Sequence, residues 1–181
     1  MKNRFYSLLL LVLVFASCSN EPSLQKYFVE KGENKDFVGL DIAPNLMMSD
    51  SIQLSADEKK AVESLKKMNV LIFRATDTNK PEYEQEKTAV KEILKDEKYD
   101  ELIKFNSGGQ GASVTTMGEG EKIEEVVVFV HNDDNGFGVI RVLGKDMTPN
   151  NVMTLVGLLQ KANLNMTQLE PLRQLMDNKR D

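Results

Sequence analysis

Five consecutive apolar residues, Val126-Val127-Val128-Phe129-Val130, constrain this chain more than any other segment. Four are β-branched and one is aromatic, types that pack well on a pleated surface. An unbroken run of this kind belongs to a strand inside a sheet, with neighbours on both sides. It ends in His131-Asn132-Asp133-Asp134-Asn135-Gly136. The Asn-Gly pair signals a hairpin, since both residues tolerate the positive φ of a tight turn. Phe137 to Leu143 is then the returning strand. Val126, Val128 and Val130 are expected to be buried.

The rest of the chain alternates between helical and extended periods. Ser23 to Lys31 reads as a short amphipathic helix with Leu24, Tyr27 and Phe28 on one side. Asp36 to Ile42 reads as a strand closed by Pro44. Ser55 with Glu58 three residues on forms a capping box, which opens a helix with the stripe Val62, Leu65 and Met68. Val70 to Phe73 is a short buried strand. Pro81 starts a helix to about Lys95, a good first-turn place for proline. Its inner face is Tyr83, Val90, Ile93 and Leu94, and Lys87, Lys91 and Lys95 form a solvated outer stripe. Glu101 to Phe105 and Ala112 to Met117 are strands joined by Gly108-Gly109-Gln110-Gly111. Pro149 opens the last strong helix, where Val152, Leu155, Val156 and Leu159 recur at helical spacing; Leu155 and Leu159 are expected in the core. A weaker helical tail, interrupted by Pro171, runs to Asp177. These elements predict an α+β domain over residues 23–181. Its single mixed sheet has an antiparallel meander from about 101 to 143 at the centre, and the helices pack mainly on one face.

The first residues carry a different message. Lys2 and Arg4 precede a nine-residue apolar run, Leu8 to Ala16. That is the order of a secretory signal, and it falls well short of the ~20 residues needed to cross a bilayer. Phe15-Ala16-Ser17-Cys18 resembles the lipobox of bacterial lipoproteins. The resemblance implies cleavage between Ser17 and Cys18 and acylation of the Cys18 thiol. Residues 1–17 are then a signal peptide and residues 18–22 a short tether. Two or more acyl chains hold a protein stably on a membrane. Acylation also accounts for the single cysteine, which has no partner for a disulfide.

Without residues 1–17 the chain keeps 21 basic against 28 acidic residues, a net charge of −7. That balance argues against nucleic acid as a partner, because phosphate backbones need a cationic surface.

Tyr99-Asp100-Glu101-Leu102, the Gly108-Gly109 turn, and Lys122-Ile123-Glu124-Glu125 running into Val126–Val130 form one pattern. With the hairpin and a strand ending at Gly144, it resembles the domain-of-unknown-function 4252 family, small lipoproteins of Bacteroidota. The resemblance covers most of residues 24–163. It implies a Gram-negative cell envelope and supplies no catalytic residues. Surface-exposed lipoproteins of that phylum tend to carry an acidic cluster just after the cysteine. Ser19-Asn20-Glu21-Pro22 has one Glu, so the expectation is the outer membrane, facing the periplasm. Asp50-Ser51-Ile52 resembles the O-glycosylation acceptor of such envelope proteins, and Ser51 sits in a polar segment suited to a glycan.

No motif for turnover stands out. His131 is the one histidine, so a zinc site of Cys and His ligands cannot be assembled, and no metal or other cofactor is expected. His131 reads as a turn residue at a strand end. The Gly108–Gly111 segment lacks the strand-to-helix setting and the Gly-Lys-Ser/Thr of a phosphate loop. It reads as an adaptable connection and a candidate binding loop. The sequence therefore favours a non-enzymatic module that binds another envelope protein through this loop or an exposed sheet face. The alternative is a periplasmic hydrolase using two carboxylates, which an adjacent pair in a pocket would favour.

Overall fold

A computed structural model describes residues 21–44 and 53–161. The proposed cleavage site at Ser17 and Cys18, Ser51, and the tail beyond Lys161 lie outside the described residues. The elements run α1 (Leu24–Lys31), β1 (Phe37–Ile42), α2 (Ala56–Glu63), β2 (Leu65–Arg74), α3 (Lys80–Ile93), β3 (Asp100–Ser107), β4 (Gln110–Glu119), β5 (Lys122–Asn132), β6 (Gly136–Met147) and α4 (Pro149–Lys161). No described helix is long and apolar enough to cross a membrane. The fold is α+β with one open sheet in the order β1-β2-β6-β5-β4-β3.

Local chemistry sets the helix starts. The Ser23 hydroxyl accepts from Lys26 N–H, capping α1. Ser55 and Glu58 exchange hydrogen bonds as a full capping box on α2. Helix α2 is shorter than its sequence stripe suggests. It ends at Glu63, and Leu65 and Met68 belong to β2 instead. A bulge between Leu65 and Lys67 breaks the strand alternation there, so the spacing imitates a helix.

Every pairing in the sheet is antiparallel, where a mixed sheet was expected. The helix between β1 and β2 does not carry the chain across to the opposite end. Ile42 pairs with Met68, so β2 begins where β1 stops. The helices also divide evenly, two on each face, instead of packing mainly on one. Helices α1 and α3 cover a face built from Phe37, Leu71, Phe73, Val127, Phe129, Phe137 and Val139. Helices α2 and α4 cover part of the other face, where Met68, Val126 and Val142 meet Ala61, Val62, Val152 and Leu155. Each apolar side chain fully buried this way contributes roughly 1.5–3 kcal/mol. An aromatic cluster anchors the first face, with Phe73 stacked on Phe137 at 5.5 Å and Phe37 edge-on to Phe73 at 5.1 Å.

Strand β5 lies between β6 and β4, as its apolar run requires. Within the run Val126, Val127 and Phe129 are buried, Val128 is half-buried and Val130 is 44% exposed. The run is apolar on both sides, so it does not reveal which side a helix covers. Leu155 is buried, and the side chain of Leu159 lies outside what the structure describes.

The uncovered part of the second face is continuous. Phe105, Ala112, Val130, Gly138, Ile72 and Val38 are register partners across all six strands. Beside them the row Ile103, Val114, Val128, Ile140, Val70 and Leu40 runs into the covered part, where Val70 is buried and Val114 and Ile140 pack against the second core. The row ends at β3, which among the described residues pairs only with β4 and in which all eight residues are exposed.

Candidate functional site

Two tight turns meet at one end of the sheet. Gly108 and Gly109 have φ of 55° and 83°, so they form the two-residue β3–β4 turn, and Gln110 already pairs with Ser107. The turn is docked: Gly109 carbonyl accepts from Asp133 N–H at 2.9 Å. The β5–β6 turn is braced by Asn132, whose Oδ1 accepts from the amides of Asp134 and Asn135. Gly108–Gly111 is therefore not an adaptable loop. Most of the residues between β3 and β5 belong to strand β4.

Asp133 is the hub of these turns. Its Oδ1 accepts from Lys87 Nζ at 2.8 Å and from the Tyr83 hydroxyl at 2.9 Å. Those two hydrogen bonds hold the Asp133 carboxyl below the usual range. Lys87 also bonds Glu84 Oε1 at 2.9 Å and lies over the Tyr83 ring at 4.6 Å. Burial alone would lower the Lys87 pKa, but the bonds to Asp133 and Glu84 outweigh it and raise it. Lys87 is thus buried, not part of a solvated stripe; only Lys95 of the three is fully exposed, and Lys91 is intermediate.

Between this hub and the β3 edge lies a small cleft of about 160 Å³. Lys91 of α3, with Leu94 and Lys95 just past its end, forms one wall. Glu101, Lys104 and Asn106 of β3 form another, and Ser113, Thr115, Phe129 and His131 form the floor. The bulge between Glu101 and Ile103 turns Glu101 to the same side as Lys104, and the two form an ion pair at 2.8 Å. Lys95 is paired with Glu92 at 2.6 Å. Lys91 has no ion pair among the described residues, and burial, then the nearby Lys87, lowers its pKa.

Two polar groups on the floor have no hydrogen-bond partner among the described residues. Thr115 is 2% exposed and its hydroxyl makes no hydrogen bond. The His131 side chain is 8% exposed, and its Nδ1 is likewise unpartnered. Burial, then the charges of Lys91 and Lys87, push the His131 pKa down. Nδ1 lies 3.9 Å from Asp133, but a neutral imidazole there makes no ion pair. Gly111 is what lets the floor close: a Cβ on it would sit 2.5 Å from Asn106 Oδ1 and 2.6 Å from His131 Nε2.

Among the described residues no three His, Cys, Asp or Glu side chains are grouped to hold a metal ion. Of the candidate site residues read from sequence, only Gly111 borders the cleft floor. The sequence reading passes over Lys104 and Thr115, sets Lys87 and Lys91 on a solvated stripe and gives Asp133 only a turn role. For Lys87 a signal existed: it sits four residues after Tyr83 and three before Val90, on the apolar side of α3.

No curated protein and no solved structure matches the chain. The family described as a domain of unknown function (DUF4252) matches residues 27–155, from the middle of α1 into α4. The strand-and-turn framework that builds the cleft lies inside those limits, and the chain belongs to the domain-of-unknown-function 4252 family.

Proposed function

We propose that this protein is a lipid-anchored binding module without a turnover reaction. It sits in the outer membrane of a Bacteroidota cell, faces the periplasm and takes up an extended segment of another envelope protein along β3. The carrying observation is the edge itself. All eight residues of β3 are exposed, and Leu102, Ile103 and Phe105 are each more than half exposed. An edge strand with unpaired backbone groups and apolar side chains is a template for strand addition. Folded proteins ordinarily blunt such an edge with charge or bulges. Here a bulge at Leu102 and the charges of Asp100, Glu101 and Lys104 still leave three large apolar side chains uncovered. The apolar row through Val130 extends the contact surface inward across the sheet. On the other side of β3 Lys104 is paired with Glu101, so the charge there is balanced and the apolar side chains carry the contact. The hydrolase reading gains no support from the cleft, whose lining includes a single carboxylate, Glu101.

The anchor is tested by fractionating cells that carry Cys18→Ala, which should release the protein from membranes. Membrane retention equal to the parent's would remove the anchor from the proposal. The strand contact is tested with the intact lipoprotein purified from its own membranes. Photocrosslinkers at Leu102 and at exposed Lys122 should give a partner adduct from Leu102 only, and Phe105→Lys should abolish it. Adducts from both sites, or adducts insensitive to Phe105→Lys, would defeat the reading. A crosslink to a second copy of the chain would replace the partner by self-association.

A further inference from the structure

We infer that the cleft between α3 and the β3–β4–β5 floor binds a phosphate group, with Lys91 as its cation and Thr115, Ser113, Asn106 and His131 as neutral hydrogen-bonding groups. This does not rest on the strand-addition reading, which concerns the outer edge and opposite face of β3.

The electrostatics of the cleft are incomplete as they stand. Lys87 is neutralised by Asp133 and Glu84, Lys104 by Glu101, and Lys95 by Glu92. Lys91 lacks an ion pair among the described residues; Lys87 repels it, Asp133 and Glu84 partly offset that, and Lys104 adds a weaker repulsion. An anion seated beside it satisfies that charge. The floor adds two polar groups that native folds rarely leave alone, the Thr115 hydroxyl and His131 Nδ1. An unpartnered hydroxyl that is 98% buried costs free energy unless something from outside completes it.

The shape and donor chemistry favour a tetrahedral oxyanion over a planar one. The polar groups come from a helix and three strands, so they approach from several directions. No arginine lines the cleft, and arginine is the side chain whose planar fork matches a carboxylate. Lysine supplies a point charge, the form in which phosphate is often held. A volume of about 160 Å³ admits a phosphate and a small ester substituent. Two sources share this chemistry: a soluble phosphate or phosphomonoester, and the headgroup of a phospholipid.

The full mature protein in detergent serves for the test, because His131 is its single histidine and gives one set of imidazole resonances. Inorganic phosphate at millimolar concentration should shift those resonances saturably and raise their titration midpoint, since a bound anion favours imidazolium. Soluble dihexanoyl phosphatidic acid forms the second arm. Saturation by inorganic phosphate assigns a soluble ligand, and saturation by the lipid alone assigns a headgroup. Lys91→Gln, which keeps most of the aliphatic stem, should weaken binding about tenfold, as losing a charge-assisted contact does. Thr115→Val should weaken it less, and Lys122→Gln, outside the cleft, should not change it. The inference is overturned if neither probe saturates, if Lys91→Gln and Lys122→Gln lose affinity equally, or if acetate shifts His131 as strongly as phosphate.

Discussion

Lys87 Nζ lies 2.8 Å from Asp133 Oδ1, and this one contact ties the middle of α3 to both hairpin turns at the end of the sheet. Asp133 also holds the Tyr83 hydroxyl and donates its amide to Gly109. Lys87→Met should therefore destabilise the protein by about 1–3 kcal/mol, because a buried hydrogen-bonded charge is lost and Asp133 is left with Tyr83 alone. Asp133 is itself half exposed, which screens the pair. A double-mutant cycle with Asp133→Asn, read by denaturant unfolding, should give a coupling of about 1 kcal/mol. Additive single effects would show that the contact carries no coupling.

The acid limb of stability should depend on His131. Its pKa is depressed in the fold, so the unfolded chain binds the proton more readily. Stability contributed by the neutral imidazole is present above the unfolded value of about 6.5 and is lost as pH falls from there through the folded value. The limiting slope for one proton is about 1.4 kcal/mol per pH unit. Thermal midpoints measured from neutral pH downward should fall more steeply for the parent than for His131→Asn, and parallel curves would contradict the assignment. Asp133, whose pKa is also depressed, acts at lower pH: its contribution is present above the ordinary carboxylate value and disappears as pH falls through the folded one.

The two faces of β5 should respond differently to charge. Val127 is fully buried under α1 and α3, whereas Val128 is half-buried on the partly bare face. Val127→Asp should cost several kcal/mol by burying an unpaired carboxylate. Val128→Asp should cost distinctly less. Chemical denaturation of both variants decides the point, and equal losses would mean that the second face is covered as well.

Gly111 is the third sensitive position. An alanine Cβ there collides with Asn106 Oδ1, His131 Nε2 and the Phe105 carbonyl, the last at 2.8 Å. The first two can rotate away, and the backbone carbonyl cannot. Gly111→Ala should destabilise the fold by about 1–3 kcal/mol and move the His131 resonance. Removing Gly108 to Gly111 altogether should do far more. The deletion takes out the turn and two paired residues of β4, so it should abolish cooperative unfolding and not merely trim a loop.

What could be read from sequence, and what could not, follows from the reach of each signal. The cap at Ser55, the Pro81 helix start, the Val126–Val130 strand and the Asn135-Gly136 hairpin are local, and local chemistry set them. The sheet's handling of its two faces is not local. Val126 to Val130 is apolar throughout, so alternation could not show that Val127 and Phe129 lie under helices while Val130 lies open. The bulges at Leu65/Lys67 and Glu101/Ile103 erased the period of two where it was most needed. Lys87 was placed outside because lysines at 87, 91 and 95 repeat like a solvated stripe. The carboxylate that allows it inside, Asp133, is 46 residues away. The cleft combines parts of α3, β3, β4 and β5, and no single segment carries its pattern.

The strand order also fixes when this chain can finish folding. Strands β3 to β6 follow one another across the sheet, so that meander can zip from neighbour to neighbour. The β1–β2 pair is different, because its only route into the sheet is along β6, and Arg74 pairs with Gly136. More than sixty residues separate those partners, and closing so long a loop slows assembly. The amino-terminal pair therefore waits, half-made, for the last strand of the chain.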